Sequence, residues 1–477
     1  MPLVSKIQVL SKAELGRVHE ASVKILEETG VVFQSDDVLE LFRKNGIKID
    51  GQVAFLPRKV IEKSLETCPQ SFKWWARNEE NSLVIGAGQG RMAISPNQGN
   101  VYIQDLDNGR RPGKIEDYAN IIKLCQASSV VNTVGAIPIE PGDIKEKEKH
   151  LHLAYNLLKN TDKPLIGFIR TMEEQRQVFD MVELAMGQKD YLLNHPSIAV
   201  SINPISPLRF GSETLESAMA YASHGQPVFI LPCIIAGVTG PISLFGTTIL
   251  QNAEILAGIV LTQLINPGNP VVYSPASSVA NMKKGNYITG SPEANLMNIA
   301  CIQMAIELYN LPTRSMAGLT DSKVVDCQAG YETMQNIFML ALSGVNIINE
   351  SLGVLDSIMT TSYEKFVIDE EILSRVIRIQ EGIDTSDERE SVELIQEIAH
   401  TGSYLEHSNT FDRCRERWQP AVANWDSYED WKEGGAEDVV VRANRRYKEI
   451  LNNSADSLID PELDKNLRAY MKRYLGS

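Results

Sequence analysis

Paired cysteines, clustered histidines and long apolar runs are what this chain has least of. Its six cysteines, at positions 68, 125, 233, 301, 327 and 414, contain no C-x-x-C pair, and none stands at a zinc-ligand spacing from any of the seven histidines. A reduced, disulfide-free cytoplasmic protein without a metal motif is the expectation. No run of about 18 apolar residues occurs, which argues against a membrane span. The opening "MPLVSKIQVLSKAEL" lacks the apolar core of a secretory leader. Phosphate loops are missing too: "GVTG" and "GSETL" have no Lys-Ser/Thr, and "GAGQG" at 86–90 precedes an expected hairpin instead of a helix. There is no G-x-S-x-G elbow. The formal charge of -15 argues against nucleic acid as a partner, because phosphate binding needs a basic surface that this chain does not advertise. It suits a cationic substrate, and it serves solubility equally well. With no evident protein nucleophile, a cofactor or partner is expected to bring the reactive group.

What is present is a repeating grammar. At 477 residues the chain exceeds the usual single core of about 250–300 residues, so a main domain with added segments is expected. Residues 11–30 and 36–45 read as amphipathic helices. "MAISPNQGNVYIQDLDNGRRPG" at 92–113 alternates and breaks like a β-hairpin, and residues 1–113 read together as a cap. From Val131 onward, seven apolar runs ("VNTVGAIPI", "KPLIGFIR", "SIAVSINPIS", "QPVFILPC", "NPVVYSPAS", "TRSMAGLT", "VNIINES") alternate with helical stretches at 144–160, 172–187, 212–223, 244–265, 292–309 and 327–343. This pattern predicts an α/β fold, a (β/α)8 TIM barrel over 114–363. Its eighth strand is either 353–359 or a strand near the hairpin. Residues 364–477 read as a helical extension, with Trp418, Trp425 and Trp431 before its last helix.

A barrel gathers its active site at the C-terminal ends of its strands. The residues there are Pro138 and Glu140, Arg170, Asn203 and Ser206, Cys233, Ser274, Asp321 with Lys323, and Asn349 with Glu350. Asp321 and Glu350 are the acids in position for catalysis; Asp321 with Ser322 equally resembles a helix cap. Arg314 sits inside an apolar strand and must find an anion, either a substrate carboxylate or an internal acid. Tyr102, Phe210, Phe245, Tyr273, Tyr287, Tyr331 and Tyr363 lie near strand ends, where aromatic faces attract quaternary ammonium ions; for any one of them core packing is the commoner role.

"DNGRRPGKIEDY", "GLTDSKVVDCQAGYE", "GVNIINESLGVLDS", "SYEKFVIDEEI" and "SYLEHSNTFDRCRERWQP" together resemble the trimethylamine methyltransferase (MttB) superfamily over nearly the full chain. That resemblance implies a TIM barrel passing a methyl group from an amine to the cobalt of a separate corrinoid-binding protein, with no cofactor held by the chain itself. The archaeal trimethylamine enzymes carry pyrrolysine, whereas this chain has only standard residues. It therefore resembles the branch that demethylates quaternary amines such as glycine betaine, proline betaine, carnitine and γ-butyrobetaine. Arg314, Arg170 or Asn203 would then meet the carboxylate, with Tyr102, Tyr273, Tyr363, Lys323 and Asn349 around the ligand. A homo-oligomer is expected. The competing readings are a non-catalytic betaine-binding or regulatory barrel and a metal-dependent methyl transfer.

Overall fold

Short β-branched and apolar runs followed by amphipathic helices build the centre of the molecule. The structure is a computed structural model that describes residues 6–400 and 402–475. The strands are β1 Ala93–Ile94, β2 Val134–Gly135, β3 Leu165–Ile166, β4 Ile198–Ile202, β5 Val228–Ile230, β6 Val271–Tyr273, β7 Arg314–Met316 and β8 Ile347–Asn349. The helices that follow them are α1 Ile115–Ala127, α2 Glu146–Asn160, α3 Met172–Met186, α4 Ser212–Ser223, α5 Leu244–Ile265, α6 Pro292–Met304, α7 Cys327–Ser343 and α8 Tyr363–Glu381. Strands β2 to β6 pair in parallel in chain order. A parallel bridge from Tyr273 to Thr313 joins β6 to the β7 end, and β7–β8 and β8–β1 are parallel pairs. The ring closes where the Asn132 and Thr133 N–H groups donate to the Ile94 carbonyl, at 2.8 and 3.2 Å. This is a closed (β/α)8 barrel.

The barrel's first strand lies inside the segment read as a cap, and it is the run before the hairpin that completes the ring. The other candidate fails for a backbone reason. Asp356, Ser357 and Ile358 all have positive φ (54°, 52° and 78°), so the chain reverses just after Val354–Leu355 and pairs it antiparallel with Thr360–Ser362. Thr360–Ser362 also pairs with Tyr102–Asp105, which continues into Gly109–Pro112. The result is a four-stranded sheet beside the C-terminal end of the barrel.

The opposite end is stoppered by a hairpin that the sequence pattern did not reveal, Ser71–Trp74 with Leu83–Gly86. Its Phe72, Trp74 and Ile85 pack inside the barrel against Ala93, Ala136, Ile166, Ala199, Phe229, Val272 and Ile347. The Trp74 indole meets Phe229 edge-on at 5.6 Å and donates to the Ser197 carbonyl at 3.1 Å.

N-terminal helices Lys12–Glu28 and Arg58–Thr67 lie on α5. This is why α5 is apolar nearly all round: among the described residues it is the one helix long and apolar enough to cross a membrane, and 78% of that window is buried inside the protein. At the other terminus, Val439–Asn453 packs on α8 and α1, and Pro461–Lys472 on α2 and α3. The connection between them and the barrel is stapled by Glu371 of α8, whose Oε2 accepts from the backbone N–H groups of Ala421, Val422 and Ala423 at 2.8, 2.7 and 3.0 Å.

Trp74 is completely buried, so Trp74→Ala should cost about 3–5 kcal/mol of stability, a large share of the roughly 5–15 kcal/mol typical of a folded protein. Urea denaturation measures it, and a loss under about 1 kcal/mol would mean that the stopper contributes little to the core.

Candidate active site

Just above the stopper the barrel lining turns from apolar to polar. Alternate residues of a strand share a face, so the inward positions after Ala199, Phe229 and Val272 are Ser201, Leu231 and Ser274. On β7 and β8 the register pairs Arg314 with inward Ile347 and Met316 with Asn349. Arg314 therefore extends into the barrel. It is 1% exposed, and neither of its terminal guanidinium nitrogens has a hydrogen-bond partner among the described residues. The Ser201 hydroxyl, the Asn349 side-chain oxygen and the Ser351 hydroxyl are buried and unpartnered as well. Leaving such groups unsatisfied costs several kcal/mol for a charge and about 1–3 kcal/mol for each neutral group. A set of them converging inside a barrel marks a place built for a ligand.

Glu350 faces the same interior. It follows β8 three positions beyond Ile347, roughly 10 Å of extended chain toward the C-terminal face. Its backbone is held left-handed, at φ 53°, a strained conformation for a non-glycine residue. One carboxylate oxygen accepts from the Gln98 N–H at 2.8 Å. Burial raises the Glu350 carboxyl to about 7, against the opposing pull of that hydrogen bond and of Arg314. Burial lowers the Arg314 guanidinium to about 10, with Glu350 and Cys233 opposing, so it stays charged at neutral pH. Cys233 is pushed up to about 11 by burial and remains a thiol. Tyr287 lies against Cys233 and within electrostatic range of Glu350; burial lifts its phenol well above the usual range and keeps it neutral. Arg314, Glu350, Asn349, Cys233 and Tyr287 are thus one constellation, walled by Leu231, Ala276, Met316, Leu319 and Val354.

Other expected residues go elsewhere. Asp321 accepts from the Thr289 and Gly290 N–H groups, both at 2.9 Å, and from the Ser357 hydroxyl at 2.5 Å. It ties three loops together, and the cap of α7 is Asp326, which accepts from the Ala329 N–H. The Thr289, Gly290 and Ser357 contacts occupy both carboxylate oxygens of Asp321. Lys323 is exposed and donates to the Asp321 carbonyl. Tyr273 points outward, because it alternates with inward Val272, and its hydroxyl donates to Asn252 of α5 at 2.8 Å. Tyr363 begins α8 outside the barrel, donates to Asp117 at 2.9 Å and stacks on Tyr447. One face of Tyr102 is covered by Arg110, 3.6 Å from the ring centroid. Arg170 lies on the rim, 3.6 Å from Glu146, in a cluster that includes Lys149 and Glu140. Asn203 is half-buried one step past β4, on the face of Ser201. Phe210 stacks on Phe33 in the N-terminal sheet, Phe245 lies under Arg17, and Tyr331 is exposed. No multi-aromatic box assembles from these rings; of the seven, Tyr287 is the one that joins the constellation. Gln98 and Ser201 were not singled out from the sequence, because a backbone N–H and a lone strand hydroxyl carry no pattern.

A small cavity lined by Tyr287, Met316 and Leu319 adjoins this chamber, and larger surface clefts lie away from it. One of about 510 Å³ opens beside the stopper, lined by the 86–90 glycine loop and Arg91. Among the described residues no group of three or more His, Cys, Asp or Glu side chains is placed to hold a metal ion.

A stoppered (β/α)8 barrel with an unsatisfied charged chamber below its C-terminal face defines a barrel of the enzyme class. The chain belongs to the trimethylamine methyltransferase (MTTB) family, whose profile matches residues 3–475. It is 36% identical over 470 residues to the glycine betaine methyltransferase of Desulfitobacterium hafniense (strain Y51), covering 98% of this chain and 97% of that one. It is 29% identical to the proline betaine:corrinoid methyltransferase of Eubacterium limosum, covering 98% and 96%. In fold it is similar to the monomethylamine methyltransferase MtmB of Methanosarcina barkeri, with a TM-score of 0.57 at 9% identity over 93% of this chain and 88% of that one.

The raised carboxyl of Glu350 has a measurable sign. Its folded value near 7 exceeds the unfolded value of about 4.3, so the folded state holds the proton more tightly and gains stability at low pH. That gain is lost as pH rises through about 7. Between pH 5.5 and 8.5, wild type should lose about 2 kcal/mol relative to Glu350→Gln in urea denaturation. A pH-independent difference would place the carboxyl in its ordinary range.

Proposed function

We propose that this protein is a cytoplasmic methyltransferase that takes one methyl group from a carboxylate-bearing quaternary amine and passes it to the Co(I) of a partner corrinoid protein. The observation that carries the reading is the charge arrangement of the chamber. The buried, unpartnered Arg314 starts level with Ile347 by the β7–β8 register, and Glu350 follows three residues nearer the C-terminal end of β8. Their order is the complement of a zwitterionic betaine entering carboxylate first, with its methylammonium end left at the open face. The activities for which the glycine betaine and proline betaine relatives are named agree with such a substrate.

Each residue then has a definite task. Arg314 takes the carboxylate in a charge-assisted, two-pronged contact and repays its own desolvation; Asn349 and Ser201 offer further polar contacts beside it. Glu350, with the ring of Tyr287, holds the quaternary nitrogen. Because the stopper fills the far end, the C-terminal face is the side from which the partner's corrinoid would reach the methyl carbon, and the chain's own residues hold that carbon in place for it. The carbon–nitrogen bond breaks with its electron pair staying on nitrogen, and a neutral tertiary amine leaves without any proton donor. The attraction of Glu350 for the nitrogen disappears as that charge is lost. It therefore serves binding, orientation and product release more than acceleration of the chemical step. A non-catalytic betaine-binding barrel would use the same chamber, and growth of methyl-cobalt absorbance on mixing with reduced corrinoid protein distinguishes the two.

Two outcomes are expected. Arg314→Ala should lower turnover at low betaine concentration about 10-fold or more while the fold is kept, as judged by circular dichroism; full activity would mean that the carboxylate binds elsewhere. At matched corrinoid concentration, at least one betaine should form methyl-cobalt, whereas dimethylglycine and trimethylamine should stay at background. Comparable turnover of a tertiary amine would demand an activating acid, with Glu350 the first residue to test.

A further inference from the structure

We propose that Asn97 is a positioning residue for Glu350: its side chain locks the turn 96–100, which holds both the backbone and the carboxylate of that acid. The turn follows β1 in the stretch "SPNQGN". Pro96, on one side of Asn97, accepts the Glu350 N–H on its carbonyl at 3.2 Å. Gln98, on the other side, donates its own N–H to a Glu350 carboxylate oxygen at 2.8 Å. Both contacts on Glu350 thus come from the immediate neighbours of one residue.

Asn97 is completely buried. Its amide nitrogen shares two N–H bonds among the Pro138 carbonyl at 2.7 Å, the Thr361 hydroxyl at 2.6 Å and Asn100 Oδ1 at 3.1 Å. Pro138 lies in the loop after β2 and Thr361 in the strand Thr360–Ser362. The Thr361 hydroxyl donates to the same Pro138 carbonyl at 2.9 Å. One side chain therefore joins three segments that are distant in sequence. Backbone bonds secure the far end of the turn, where the Gly99 N–H donates to the Ile137 carbonyl and the Glu140 N–H to the Asn100 carbonyl, both at 2.7 Å. Between that end and Pro96, the Asn97 side chain is what aims the Gln98 N–H. Its Oδ1 is buried without a partner, the kind of unsatisfied group that collects at functional sites.

Each N–H aimed at a carboxylate favours its charged form. The groups that face Glu350 are Arg314 of β7, Asn349 of β8, Cys233 after β5 and Tyr287 after β6. Arg314 is the one cation among them, and the Gln98 N–H adds to its pull. When the Asn97 side chain is removed, that N–H loses its aim and the Glu350 carboxyl rises further.

The shift is read without any ligand, as the pH dependence of urea denaturation. The difference between each protein and its own Glu350→Gln counterpart isolates Glu350 from Glu254, a second carboxyl that burial raises to about 7. In wild type the stability due to Glu350 is lost as pH rises through about 7. In Asn97→Ala the midpoint of that loss should move up by about one pH unit. Thr361→Val keeps the shape, removes one acceptor of Asn97 and should move the midpoint the same way by less; it decides the matter should Asn97→Ala not fold. Betaine turnover is a second readout, and it alone rests on the proposed function. There Asn97→Ala should raise KM about 3- to 5-fold at pH 7 and little at pH 9, with kcat at saturating betaine within about 2-fold of wild type. A merely structural Asn97 would lower stability at every pH and leave the midpoint in place, and that result in both variants overturns the proposal. A shifted midpoint with an unmoved KM would uphold Asn97 as the positioning residue and remove instead the contact of Glu350 with the quaternary nitrogen.

Discussion

An arginine held inside a closed barrel without a partner is the constraint on which the rest of the molecule turns. Arg314 has no hydrogen bonds for its terminal nitrogens and stays ionised despite burial. A charge in that position is tolerated only if the surrounding fold is stable enough to carry the cost and a ligand later relieves it. The hairpin around Trp74 answers the first requirement: it fills the lower barrel with aromatic and aliphatic side chains.

The second requirement shapes the upper loops. Glu350 keeps a left-handed backbone because its neighbours fix it from both sides: its N–H donates to the Pro96 carbonyl, and its own carbonyl accepts from the Gly318 N–H. Three residues on, the Gly353 N–H donates to Asp369 of α8, which in turn pairs with fully buried Lys365. Glu350 is thus positioned by the helix that follows it, and Asp321 performs the same kind of task between the loops at 289–290 and 357. The two carboxylates differ in the number of N–H and O–H donors pointed at each: Asp321 accepts from Thr289, Gly290 and Ser357, Glu350 from Gln98 and Asn349.

Much of this was legible from residue order. The alternation of short apolar runs with helices specified a parallel barrel, because period-2 and period-3.6 patterning are local properties. Arg314 stood out because a charge inside an apolar strand is visible without coordinates. The aromatic assignments fared differently. Whether a ring at a strand end faces the lumen or the helix layer depends on a one-residue phase that a fully buried run such as Val271–Tyr273 does not reveal, and Tyr273 took the outward phase.

By itself, then, the amino-acid order determined the fold class, the family and the charged residue at the centre, since each is written in periodicity, motif or composition. Tertiary structure alone decided that Ala93–Ile94 closes the ring, that a distant hairpin stoppers it, and that Glu350 instead of Asp321 shares the chamber with Arg314. These depend on pairings between distant segments, as in the link from Gln89 to Asn346, 257 residues apart, beside the β1–β8 seam. Hydrogen-bond partners at such separations are chosen by packing in three dimensions, and no local preference of the chain encodes them.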